Sequence, residues 1–139
     1  MYKGAKKIKF SSGNDANQML MRKLVCNFFS AGKITTTISK ARVLKSYIEK
    51  LTEKIKEENN ANKNYLISKL NNEKLIDSLY REVAPIIKNR VGGYVRIIKL
   101  GRRDSDGVDL GKIEWIQPIV IKTNIPKINK NSKEIAEKK

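Results

Sequence analysis

Arg90-Val91-Gly92-Gly93-Tyr94-Val95-Arg96-Ile97-Ile98-Lys99-Leu100-Gly101-Arg102-Arg103 decides the reading of this chain. Two adjacent glycines free the backbone from the usual steric limits. An alternating run follows. Tyr94, Arg96, Ile98 and Leu100 fall on one face of a strand, and Val95, Ile97 and Lys99 on the other. A third glycine then gives way to an arginine pair. No pairing of nucleophile and base occurs here. The stretch predicts a strand with ends shaped for close backbone approach, flanked by groups that seek phosphate.

Downstream, Gly101 to Gly111 predicts a turn carrying Asp104, Asp106 and Asp109. Their offsets do not match a calcium loop. Lys112 to Ile116 alternates again and continues to Ile121, predicting the second arm of an antiparallel hairpin. Pro118 predicts that this strand reaches a sheet edge in its later half. Upstream, Asn89 to Gly93 is the turn into the strand. Glu73 to about Lys88 predicts a helix, with Pro85 kinking it or starting a new turn. Asn71-Asn72 breaks it from a short apolar face at Tyr65, Leu66, Ile67 and Leu70. Glu57 to Asn64 predicts a loop.

Ala41, Leu44, Ile48, Leu51 and Ile55 step by three and four, the clearest amphipathic register in the chain. Ser39 is the expected N-cap of that helix. Its outer face mixes Lys45, Glu49, Lys50, Glu53, Lys54 and Glu57, an ordinary solvated surface. Lys40 and Arg42 sit in its first turn, where the helix dipole favours anions. Lys33 to Ile38 is β-branched and extended. An earlier helix spans 15–31, with Asn14 or Asp15 as cap, a stripe of Leu20, Met21, Leu24, Val25 and Phe28, and Gly32 as a left-handed stop.

The chain has 139 residues, enough for one core, with 30 Lys+Arg against 14 Asp+Glu and a net charge of +16. Such a field attracts polyanions. The chain has no histidine and one cysteine, Cys26, expected as a buried small hydrophobe in a reducing compartment. No apolar run is long enough to span a membrane. Neither a phosphate loop of the Gly-x-x-x-x-Gly-Lys type nor a Cys/His cluster is present. Few aromatics are free of the core stripes, so phosphate-dominated binding of structured RNA or duplex fits better than a stacking platform. The expected class is a nucleic-acid-binding protein, not an enzyme, with no cofactor and no metal.

The stretch Arg90-x-Gly-Gly-Tyr-x-Arg-Ile-x-Lys-x-Gly-x-Arg103 resembles bacterial-type ribosomal protein seventeen of the large subunit. Ile34-Thr-Thr-Thr-Ile-Ser-Lys-Ala-Arg42 is similar to a second block of that family, and Met19-Leu-Met-Arg-Lys-Leu24 to its first helix. Order and spacing hold from about 15 to 117. Val95 stands where the family has threonine, and Val108-Asp-Leu-Gly111 replaces its Ala-Pro-Met-Ala.

The resemblance implies an α+β chain. It would be a two-layer α/β domain of helix, strand, further helices and two strands, flanked by basic N- and C-terminal tails. The limits expected are a basic arm at 1–14, one domain at 15–121 and a basic tail at 122–139. The implied role is structural, bound to large-subunit rRNA near the nascent-chain exit beside neighbouring ribosomal proteins. No membrane or small-molecule partner is implied, and the location is the ribosome of a bacterial cytoplasm. By motif position, Lys40, Arg42, Arg90, Arg96, Lys99 and Arg103 are the implied rRNA contacts, with Gly92, Gly93 and Tyr94 shaping the corner. Lys3, Lys6, Lys7 and Lys9 of the arm, with Arg22, Lys33 and Arg102, complete the candidate rRNA-binding set. The alternative is a basic nucleic-acid-binding module of nucleoid type, off the ribosome.

Overall fold

The computed structural model describes residues 13–119 and 121. Residues 1–12 of the expected arm, with Lys3, Lys6, Lys7 and Lys9, and the expected tail at 122–139 lie outside the described residues. Within them the fold is α+β, with five helices and a three-stranded antiparallel sheet.

Helix α1 spans Asn14–Ala31 and starts after Gly13, with no side-chain cap. Asn14 and Asp15 therefore lie inside the first turn instead of capping it. Asp15 there still complements the positive end of the helix. Gly32 ends the helix at φ +79°, and its N–H reaches the Phe28 carbonyl at 2.7 Å. Burial is complete only from Val25 onward, at Val25, Phe28 and Phe29. Cys26 is half-buried, not sealed, and its thiol points to the Leu70 carbonyl at 3.7 Å. Burial pushes the thiol pKa up, with Arg22 opposing.

Strand β1, Lys33–Thr37, runs directly into α2, Ile38–Ile55. Thr37 takes the cap position in extended conformation, without a side-chain bond, so Ser39 is already helical. The register Ala41, Leu44, Ile48, Leu51 and Ile55 is wholly buried. Thr52 joins it because its hydroxyl donates to the Ile48 carbonyl at 2.8 Å, which removes the cost of an orphan polar group.

Of the loop expected from Glu57 to Asn64, residues 57–59 are non-helical, and residues 60–64 are helical instead. Asn59 accepts from the Asn62 N–H at 2.7 Å and caps α3, Asn60–Leu70. Asn71 takes the left-handed conformation at φ 52°, and Asn72 caps α4, Glu73–Glu82. The expected run to Lys88 breaks at Val83, and Pro85 sits at the start of α5, Ala84–Ile87. Proline has no N–H to continue the ladder. Ile86 turns out to solvent, whereas Val83 and Ile87 are buried.

Strands β2, Val95–Arg102, and β3, Asp109–Trp115, form the hairpin, and the sheet order is β1-β3-β2. Thus β3 is the central strand, not an edge. It starts earlier than the alternation indicates and ends before Pro118, so the proline never interrupts the ladder. The connecting turn is correspondingly short, residues 103–108. A bulge between Lys99 and Gly101 leaves Leu100 without a partner. One sheet face carries Lys33, Lys112, Glu114 and Arg96; the other carries Ile34, Ile113, Trp115, Val95 and Ile97 toward the helices. Phe28 packs on Trp115 with centroids 4.9 Å apart, and Phe29 closes the trio at 5.7 and 6.0 Å.

Candidate nucleic-acid interface

Gly111 sets the approach of α2 to the sheet. A Cβ there would meet Ile38 Cδ1 at 2.9 Å, Ile97 Cγ2 at 3.3 Å and Ala41 Cβ at 3.4 Å. The missing side chain lets the first turns of α2 lie against the central strand. That brings Arg42 beside Lys99. Both line a cleft of about 170 Å³ with Ile38, Gly101, Asp109 and Leu110. Neither has a carboxylate partner among the described residues. Asp109 is engaged by Arg102, with Nε 3.6 Å from Oδ1. The first turn of α2 contains no acidic residue. A helix start, an arginine and a lysine therefore face the same solvent, an arrangement that favours a phosphate oxygen. Lys40 lies half-exposed one residue before Ala41, also without an ionic partner among the described residues.

The open sheet face is different. Glu114 stands opposite both Lys33 and Arg96 in the register. It binds Arg96 at 2.6 Å and Lys112 at 2.9 Å, while Lys33 stays exposed and has no ion pair among the described residues. Arg103 holds Asp106 through two hydrogen bonds within the hairpin turn. Arg96 and Arg103 thus carry their own counter-charges.

The Gly-Gly corner is clamped to α2. Gly92 and Gly93 have φ +79° and +61°. The Gly93 N–H donates to Glu49 Oε2 at 3.2 Å. Tyr94 is buried, and its hydroxyl donates to Glu53. Lys56 donates to the Arg90 carbonyl and stands 5.0 Å over the Tyr94 ring. The Arg90 Nε–H turns back onto the carbonyls of Gly92 and Gly93 at 3.3 and 2.9 Å. Tyr94 therefore does not share the Arg96 face, because it precedes the strand and points into the core. Glu49, Glu53 and Lys56 were legible only as solvated surface; their spacing of four and three on one helix face was the available signal. Arg22, for its part, donates to the Lys69 and Ser68 carbonyls at 3.0 and 3.3 Å and closes the C-terminal end of α3.

The carboxylates in these pairs set an acid dependence. The Arg103 guanidinium beside Asp106 lowers its pKa to about 2. Hydrogen bonds from Lys112 and Arg96 hold Glu114 below the usual range, and the Tyr94 hydroxyl does the same for Glu53. A depressed folded-state pKa means the folded chain binds fewer protons than the unfolded one. The stability from these groups is present above the unfolded carboxylate range, roughly pH 4. It is lost as pH falls through the folded values. Urea midpoints are expected to hold level from neutrality to about pH 5 and to fall steadily below about pH 4. Asp106→Asn should remove part of the fall at its acid end. A midpoint rising on acidification would contradict these pairings.

The sequence pattern of the family described as "Ribosomal protein L17" matches residues 20–116. The chain belongs to the ribosomal protein L17 family. Among curated relatives, the large ribosomal subunit protein bL17 of Sulfurihydrogenibium sp. (strain YO3AOP1) is 36% identical over 109 residues, covering 78% of this chain and 90% of the relative. That of Akkermansia muciniphila is 33% identical over 116 residues, covering 84% and 85%. That of Flavobacterium johnsoniae is 34% identical over 97 residues but is a longer protein, of which 60% is covered. Membership makes the chain a structural protein of the large ribosomal subunit and not an enzyme. The matched span contains both sequence blocks, the clamp on the Gly-Gly corner and the cleft. Among the described residues, no helix is long and apolar enough to cross a membrane, and no group of three or more acidic or cysteine side chains is placed to hold a metal ion.

Proposed function

We propose that this L17-family chain binds large-subunit rRNA through the start of α2, the adjoining cleft and the exposed edge of the hairpin. The observation that carries this reading is the cleft. Arg42 and Lys99 come from two separate sequence blocks, meet at one concavity and have no carboxylate partner among the described residues. Lys33, Lys40 and Arg102 extend the cationic surface. Arg96 and Arg103 reach phosphate by exchanging a carboxylate for it, and Arg90 with Gly92, Gly93 and Tyr94 fixes the corner from which β2 departs. The domain at 15–121 then acts as a frame between basic segments. Residues 1–12 and 122–139 carry ten of the 30 cations and two of the 14 acids, which suits both flanks to the same polyanion. In the bacterial cytoplasm the contact belongs beside the nascent-chain exit, among neighbouring large-subunit proteins.

Binding dominated by phosphates releases counterions, so affinity falls steeply with salt. Each contact removed flattens the log–log slope by about 0.7–0.9. The Arg42→Ala, Lys99→Ala double variant is expected to flatten it by about 1.4–1.8 against large-subunit rRNA. An unchanged slope would sink the cleft as the site. A tagged wild-type chain that sediments apart from the large subunit at physiological salt would sink the whole reading.

A further inference from the structure

We propose that Lys54, Tyr65 and Lys69 form a second RNA contact, one that receives an unstacked nucleotide. The Tyr65 ring lies under the base, and the two ammonium groups take the flanking phosphates. This rests on the rRNA-binding reading above and adds a site outside both sequence blocks.

Tyr65 is 38% exposed, and it is the one aromatic residue among the described residues that is exposed. Phe28, Phe29, Tyr80, Tyr94 and Trp115 are buried, and Tyr47 is half-buried. Lys54 Nζ stands 6.0 Å and Lys69 Nζ 5.7 Å from the Tyr65 ring centroid. The surrounding helical segment is otherwise balanced, since residues 49–82 carry seven acids and seven cations. Several of those are matched, as in Lys56–Glu53 and Lys63–Asp77. Lys54 and Lys69 form no salt bridge among the described residues; they converge from α2 and α3 on an aromatic face.

The support beneath the ring is rigid. Helix α3 is capped by Asn59 at its start and by left-handed Asn71 at its end. Arg22 ties the Ser68 and Lys69 carbonyls to α1. The ring is held, while the two ammonium groups ride on flexible stems and can move from ring to phosphate. Base stacking on a protein aromatic tolerates any sequence, and cations beside it supply the backbone contact. Arg42 and Lys54 are twelve residues apart on α2, about 18 Å along its axis. The two contacts therefore grip RNA at opposite ends of one helix.

Large-subunit rRNA carrying 4-thiouridine is the probe, irradiated with the full chain, and crosslinks are mapped by mass spectrometry. A crosslink at Tyr65 is expected. Tyr65→Phe should keep rRNA affinity, and Tyr65→Ala should lose about tenfold. Lys54→Gln with Lys69→Gln should flatten the salt slope by about 1.4–1.8. If Tyr65→Ala disturbs folding, Tyr65→Leu keeps the apolar bulk without the π face and still has to lose affinity. Wild-type affinity in Tyr65→Leu, with no crosslink on α3, overturns this proposal while leaving the cleft standing. Failure of the wild-type chain to bind rRNA at all overturns the proposed function itself.

Discussion

Phe28→Ala is expected to lower the unfolding free energy by about 3–5 kcal/mol. Phe28 is fully buried on α1 and packs against Trp115 of the central strand and Phe29 beside it. Truncation removes most of a large side chain's burial and leaves a cavity. The cavity cannot close easily. One wall is the hydrogen-bonded sheet, and another is the last turn of α1, pinned by Gly32. It also removes an aromatic pair at 4.9 Å, worth a further fraction of a kcal/mol. Total stabilities of domains this size are about 5–15 kcal/mol. A chain at the low end of that range would keep no more than about 2 kcal/mol, and at the upper limit of the loss about half of it would be unfolded. Urea denaturation followed by Trp115 fluorescence measures the loss directly, since the reporter is the residue that loses its neighbour. A loss under 1 kcal/mol would mean that the trio does not anchor α1 to the sheet.

Replacing Gly92 and Gly93 together by alanine is expected to cost about 2–4 kcal/mol, by about 1–2 kcal/mol for each left-handed residue. An added Cβ at either position meets nothing within 4 Å, so the cost is conformational and not steric crowding. Holding φ at +79° and +61° is what aligns the Gly93 N–H with Glu49 and delivers Tyr94 to Glu53. The double variant either bears the strain or abandons the clamp, and both routes destabilise the start of β2. Its incorporation into large subunits should drop well below that of Lys133→Ala, a single change in the basic tail. Surface changes of that kind usually stay within about 0.5 kcal/mol. Equal incorporation of the two variants would show that the corner does not need its left-handed geometry.

The helices with strong local patterns were readable from sequence. The apolar register of α2, the Gly32 stop and the break at Pro85 all follow from short-range chemistry. The central position of β3 was not readable, because strand neighbours are chosen by packing across the chain and not by alternation within it. Pro118 misled for the same reason: it disqualifies a strand only if the strand reaches it, and β3 stops at Trp115. Asn71-Asn72 breaks the helix as its sequence indicates, whereas the expected loop from Glu57 to Asn64 gives way to helix once Asn59 caps α3, a role its side chain fills as well as a turn. In the candidate site, the cations at Arg42 and Lys99 were named from their sequence blocks. Their meeting in one cleft depends on Gly111, whose lack of a side chain signals nothing until α2 is placed over it. The clamp of Glu49, Glu53 and Lys56 was hidden among charges that look like ordinary solvated surface.

The sheet order also has a consequence in time. Strand β1 is made early, yet its partner is β3, about eighty residues later along the chain. At elongation rates of about 5–20 residues per second, β1 waits roughly 4–16 s for β3 to be synthesised. Through that interval Phe28 and Phe29 lack Trp115, and the first turns of α2 lack the close approach at Gly111. The helices can assemble as they emerge, but the sheet forms only as a closing step, when its middle strand slots between two edges already made. Refolding should accordingly show helical signal first and burial of Trp115 last, with the slow phase set by that long-range pairing.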